Sequence, residues 1–425
     1  MTVRSVYRSP DFLRLWVSQV VSKAGANFVE VGLAVFALSV AHGDLAAYGG
    51  ILFAGLLPPV VLGWAAGGVV DRWDRRRTMV AGDLIRAAVV LSIPIIGQLW
   101  WTFGAVFLVE TVGLVYKPSV RALTPETVDA GQIMAANRAL WAGAAAVDIP
   151  VYLLIGIVVS HAGAASPFLI DAAAFAVAAV TVAQLTHAPA ARPDPTPTDP
   201  PRRTFGADLR DGFAYHRAEP VVGRLLLLSM VGIIGVAGLN AASAAVIVRL
   251  LGRPEGDLGW LLAAVAAGMA GGSWLLGRRG RGEDPRRYRG LVAVGPAGFG
   301  GITLGVAVSH RLWLTVPLYA LGGACNALYQ LPLRTWLQTL VPASMRGRVF
   351  AARAMGLGGA AAVASLATGW IVTVAGLPVT LAFLAAFPLA AGGLALWRLP
   401  HAPEPAAPTA PGQTGQTGKE GISSV

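Results

Sequence analysis

The chain has 425 residues, 55% of them apolar and only 13% charged, with a formal net charge of +11 and a mean hydropathy of +0.62. A soluble globular chain carries about 25% charged residues, so this composition excludes an ordinary soluble domain and points to a chain solvated largely by lipid. The single Cys325 excludes a disulfide framework and a four-thiolate metal centre.

The N-terminal stretch MTVRSVYRSPDF has neither the apolar core nor the cleavage site of a signal peptide, so the first helix is expected to be retained. A membrane span needs about 20 predominantly apolar residues. Apolar runs between charge and turn clusters predict helices over 12–40, 45–70, 76–98, 100–121, 131–160 and 165–186. Residues 187–204, HAPAARPDPTPTDPPRRT, carry too much proline and charge for a packed helix and are expected to be a linker. FGADLRDGFAYHR follows, with Phe205, Leu209 and Phe213 at helical spacing, and predicts a short interfacial helix. Six further spans are predicted over 221–251, 256–277, 289–309, 311–338, 346–375 and 378–398, and the tail is expected to be disordered by composition. The expected architecture is an all-α integral membrane protein of twelve transmembrane helices. It has a six-helix bundle over 1–186, a linker with its interfacial helix over 187–220, a second bundle over 221–399 and a tail over 400–425.

Orientation follows from the Lys/Arg bias of short loops. Arg4, Arg8 and Arg14, the run Arg72 to Arg77, Lys117 and Arg121, Arg202 to Arg217, Arg278 to Arg289, and Arg346 to Arg353 all fall on one side. The opposite loops HGDLAA, GQLWW, SHAGAASPF and AGLPV have no Lys or Arg, and only Arg249, Arg253 and Arg311 fall on that side. Both termini are therefore expected in the cytoplasm, which requires an even number of spans. The Ala, Gly and Arg richness with little Lys suggests a bacterial inner membrane. The positive charge is explained by topology, so no nucleic-acid partner is expected; the partners are a small-molecule substrate and membrane lipid, and the chain is read as a monomer.

At the end of the second span lies Gly67-Gly68-Val69-Val70-Asp71-Arg72-Trp73-Asp74-Arg75-Arg76-Arg77. Gly63 and Gly67 form a small-xxx-small pair that lets another helix approach, and Asp71 sits among arginines that keep a carboxylate ionised. Such a cluster can hold two helix ends together or release them. The alternative is that the arginines only enforce topology.

This stretch resembles the signature loop of the major facilitator superfamily, Gly-x-x-x-Asp-Arg-x-Gly-Arg-Arg. Gly67, Asp71, Arg72, Arg75 and Arg76 match, and Asp74 replaces the usual Gly. Further stretches, among them SPDFLRLWVSQVVSKAG, AGDLIRA with Asp83 and Arg86, KPSVRALTPETV and LQTLVPASMRGRVFAARAM, resemble the branch of enterobactin exporters and macrolide-efflux-like proteins. The resemblance implies two bundles around a central cavity and alternating access. It also implies that the loop Asp engages the start of the eleventh span, here near Ser344 to Arg348. The fifth span keeps Pro150, which should kink it, but lacks the preceding Gly common in exporters. Tight packing could come instead from Gly268 with Gly272, or Gly301 with Gly305.

Ionisable residues at mid-span cost roughly 2.5–3.5 kcal/mol each on insertion scales and need a reason to be there. Lys23 and Glu30 are seven apart on one face of the first span; Glu110, Arg138, Asp148 and Asp171 follow in the first half. Glu30, then Glu110 and Asp148, are the proton-coupling candidates, with Lys23 and Arg138 as charge partners; a structural ion pair, for example Glu110 with Arg138, is the alternative. Asp171 lies near a span boundary, where a capping role is equally open. Asn240, Asn326, Tyr329, Gln330 and Trp336 are substrate-cavity candidates. The expected function is proton-coupled efflux of a small amphipathic compound, such as a drug, macrolide or siderophore, by an antiporter. The alternatives are uptake or exchange of a defined metabolite and, remotely, a membrane enzyme or lipid-handling protein. The histidines do not gather, and no HExxH or GxSxG occurs, so no catalytic centre, metal or cofactor is expected beyond a proton gradient.

Overall fold

A computed structural model describes residues 3–41, 43–63, 74–186, 205–279 and 285–399. Gly67, Asp71 and Arg72 of the arginine-rich loop, the linker 187–204 and the tail from 400 lie outside the described residues.

Among those described are thirteen α-helices. The first set is α1 (Pro10–Val40), α2 (Leu45–Val61), α3 (Arg75–Ile96), α4 (Leu99–Leu123), α5 (Ile133–Ala162) and α6 (Ser166–Ala183). The short α7 (Phe205–Ala218) leads into the second set: α8 (Pro220–Ala245), α9 (Leu258–Arg279), α10 (Pro285–Ala307), α11 (Leu312–Leu340), α12 (Ala343–Ala375) and α13 (Leu377–Arg398). Ten of these are long and apolar enough to cross a membrane. The other two of the twelve are α2, described only as far as Val61 within its helix, and α11, whose hydropathy is lowered by Asn326, Gln330 and Arg334.

Local chemistry sets the ends. Ser9 caps α1 by accepting from the Phe12 N–H, and Pro10 takes the first helical position, where no N–H is needed. Asp74, the departure from the loop consensus, caps α3: its Oδ1 accepts from the Arg77 N–H at 2.7 Å. Gly97 closes α3 with φ 66°, a left-handed conformation that favours glycine.

Within the first set α1 packs on α5 and α6, α3 on α4 and α6, and α2 on α4; within the second, α9 packs on α11, α10 on α11 and α13, and α8 on α12 and α13. The two sets meet along two seams, α2 with α12 and α5 with α9. Both seams need glycine. A Cβ on Gly49 would lie 2.6 Å from the Ser365 carbonyl oxygen, and one on Gly259 would lie 2.1 Å from the Tyr152 carbonyl oxygen; Gly156 faces Gly256 beside it. The sequence pointed to other glycines. Gly268 and Gly272 press on Ala320 and Ala324 of α11 inside the second set, Gly305 makes ordinary contact with Leu318, and Gly63 and Gly301 face open space. Helix α5 stays helical through Pro150. A buried apolar cluster drawn from both sets, including Phe36, Tyr48, Phe168, Ile247 and Leu377, gathers at the end opposite the N-terminus.

Candidate functional site: a charged cavity between the bundles

Beneath that apolar plug the sets part and enclose a cavity of about 510 Å³, within the usual size of small-molecule sites. Its wall is mostly apolar, with Trp141 and Ile149 from α5, Leu262, Val265 and Met269 from α9, and Phe299 from α10. The charged groups of the lining come from α1 and α5. Glu30 and Asp148 both reach the wall.

These two carboxylates belong to one hydrogen-bonded cluster. Lys23 Nζ lies 3.1 Å from Asp148 Oδ1 and donates to Asn27 Oδ1 at 2.8 Å. Asn27 Nδ2 donates to the same Asp148 oxygen at 2.9 Å. Tyr152 OH donates to Glu30 Oε2 at 2.6 Å. Helical spacing builds the arrangement: Lys23, Asn27 and Glu30 recur at four and three residues on α1, and Asp148 and Tyr152 are four apart on α5. The cluster sets two carboxylates against one lysine beside an apolar wall.

The structure separates the sequence candidates. Asn240 and Asn326 line the cavity, and Asn326 Oδ1 is buried without a hydrogen-bond partner. Tyr329, Gln330 and Trp336 do not line it. Tyr329 OH donates to the Leu228 carbonyl at 2.9 Å, Gln330 accepts from Arg353 at 3.3 Å, and Trp336 is buried in the second bundle's core. Glu110 is also off the wall. It pairs with Lys117 of its own helix at 3.3 Å rather than with Arg138, which is exposed on α5. Asn27 and Tyr152 were not anticipated. Their signal was a polar residue one turn from Lys23 and another one turn from Asp148.

At the end that carries the N-terminus, Arg75 pairs with Glu126 beyond α4, and Arg76 donates to the Ala183 carbonyl at the end of α6. Arg348, expected near the loop Asp, is held by α7: its Nε lies 2.8 Å from Asp208 and its Nη1 3.5 Å from Asp211. Among the described residues no group of His, Cys, Asp and Glu is arranged to hold a metal ion.

Comparison with known proteins agrees with this architecture. A family model described as transmembrane secretion effector matches residues 3–413. YfiS of Bacillus subtilis (strain 168), an MFS-type transporter, is 25% identical over 80% of this chain and 81% of its own. Macrolide efflux protein A of Streptococcus pyogenes is 28% identical over 127 residues, 29% of this chain and 31% of its own. The crystal structure of a mutant of the nucleoside transporter NupG superposes with a TM-score of 0.77 at 11% identity, covering 91% of this chain and 99% of that one. A bacterial homologue of the human lysosomal transporter Spinster, inward-facing and occupied, gives 0.70 at 14% identity, covering 92% of this chain and 96% of that one. These superpositions concern the fold alone.

Proposed function

Because the chain belongs to the transmembrane secretion effector family of major facilitator transporters, we propose that it exports a small amphipathic organic compound in exchange for protons, by alternating access. It is a membrane transporter, not an enzyme. The proposed setting is a bacterial inner membrane with both termini in the cytoplasm, as the arginine distribution suggests. One observation carries the reading: an apolar cavity with two carboxylates on its wall, of which Asp148 is paired with Lys23. An apolar wall takes a lipophilic body, and a surplus carboxylate takes either a proton or the ammonium of a bound base. One site that takes both in turn can exchange one for the other. The same surplus favours a lipophilic amine, as in a macrolide or cationic drug, over an anionic siderophore. The partial likeness to a macrolide efflux protein supports the direction.

The test is transport into inverted membrane vesicles. With lipophilic amines as probes, accumulation should require an inwardly acidic proton gradient and collapse when a protonophore dissipates it. Accumulation by right-side-out cells instead, with none in inverted vesicles, would overturn export.

A further inference from the structure

A second group of charges lies inside the first bundle, away from the cavity. Asp83 and Arg86 of α3 and Asp171 of α6 are 0%, 8% and 2% exposed. Arg86 Nη2 donates to Asp83 Oδ1 at 2.5 Å, and its guanidinium stacks on Tyr116 and Phe175 at 3.8 and 4.5 Å from the ring centres. Tyr116 OH donates to Asp83 Oδ2 at 3.3 Å, and Gln19 Nε2 donates to Tyr116 OH at 3.0 Å. Asp171 is different. Its Oδ1 is buried with no hydrogen-bond partner and sits against Gly25 of α1, where a Cβ would come within 2.3 Å of it.

Asp171 is therefore not a helix cap; Ala165 holds that position on α6. It lies deep because Pro167 seats against Gly32, eight residues short of the end of α1. Phe175, one turn further along the same helix, carries the Arg86 guanidinium on its ring, which places Asp171 on the face of α6 that meets the Arg86–Asp83 pair. From the other packed elements, Lys23 and Glu30 of α1 and Asp148 of α5 are engaged in the cavity cluster, and α4 contributes the Tyr116 hydroxyl.

The charge count is then two carboxylates against one guanidinium. An unpaired charge in such surroundings neutralises by taking a proton. We propose that Asp83 and Asp171 share one proton beneath Arg86, forming a proton-binding site inside the first bundle that is separate from the cavity carboxylates. Asp83 keeps the guanidinium, and the proton resides on Asp171. Tyr116 and Gln19 form a hydrogen-bonded chain from Asp83 to the face of α1 that carries Lys23 one turn further on.

The experiment is infrared spectroscopy of the reconstituted full chain, reading the C=O stretch of protonated carboxylic acids and its shift in heavy water. It requires no substrate and no transport, so it stands whether or not the proposed export holds. Wild-type protein should show a buried carboxylic acid band that Asp171→Asn, a near-isosteric mimic of the neutral acid, removes. Asp83→Asn should remove it too, because Asp171 then ionises as the sole partner of Arg86. Arg86→Gln should add a second such band, because neither carboxylate then has a counter-charge. A wild-type spectrum without the band, or a band that survives both Asp171→Asn and Asp83→Asn in folded protein, overturns the proposal. Loss in Asp171→Asn with persistence in Asp83→Asn overturns the sharing.

Discussion

Replacing Gly259 with alanine should force the cavity open at the end sealed by the apolar plug. The added Cβ would lie 2.1 Å from the Tyr152 carbonyl oxygen and 2.8 Å from Ile155 Cγ2. Helix α9 must retreat from α5 by roughly 1 Å to restore ordinary contact. Both close partners belong to the other bundle, so the strain falls on the seam and not on either bundle's core. Overpacking of this kind costs about 1–3 kcal/mol, which lowers the closed-to-open ratio by about 5–150-fold. A cavity cysteine reports the change: Asn240→Cys in a Cys325→Ser background, alkylated by a membrane-impermeant maleimide from the face opposite the termini. Labelling should accelerate with Gly259→Ala and accelerate less with Gly156→Ala, whose Cβ would stand 3.1 Å from the Gly256 carbonyl oxygen. Unchanged labelling together with a lowered melting temperature would refute the reasoning, since the strain would then have been absorbed within a bundle.

Glu30→Gln and Asp148→Asn should each abolish the pH drive of transport, whereas Glu110→Gln, off the cavity wall and paired with Lys117, should leave it intact; proton-gradient dependence in vesicles checks all three. Tyr152→Phe removes the donor to Glu30 and should shift the pH profile without changing the fold, read by circular dichroism beside transport. Burial, then the Arg353 charge, lowers the His216 pKa from 6.5, opposed by the contact with the Gly212 carbonyl. The folded chain favours the neutral ring, so this contribution is complete above pH 6.5 and is lost as pH falls through that value toward the lowered one. Hydrogen exchange over 205–218 should quicken on acidification and stay flat with His216→Gln. Arg75→Glu should impair transport by breaking the pair with Glu126, and the double swap with Glu126→Arg should recover part of it. The pair is about one quarter exposed on each side, so its effect on stability should be no more than about 1 kcal/mol.

The helices were legible because lipid leaves the backbone no partner but itself, which forces long apolar runs between charged turns. Apart from the second span, whose predicted end at 70 lies outside the described residues, predicted and observed spans begin and end within a few residues of each other, and Gly97 marks the break between α3 and α4 in both. What lipid does not encode is which face of a span meets which neighbour. The pairing of Glu110 shows this: the sequence offered Arg138 on the next helix, and the partner is Lys117 on its own. Tyr329 and Trp336 look the same in sequence as the wall-lining Asn326, but the rotation of α11 turns them into the second bundle. Lys23 and Glu30 do meet in one hydrogen-bonded cluster, because spacing along one helix fixes a shared face without knowledge of the neighbours. Asp171 misled because counting from a helix end gives depth only if both helices begin at the same level, and the contact of Pro167 with Gly32 shows that α6 does not.

The two seams are of unequal length. Helix α2 touches α12 both near its start, at Gly49 and Gly369, and far along, where Val60 meets Gly358. Helix α5 touches α9 and the turn before it through Tyr152 against Gly259 and Gly156 against Gly256, and further along the same two helices Trp141 and Met269 border empty space instead. The molecule is thus built like a book, with a spine on one flank and a fore-edge on the other. Leaves bound that way part on one side only.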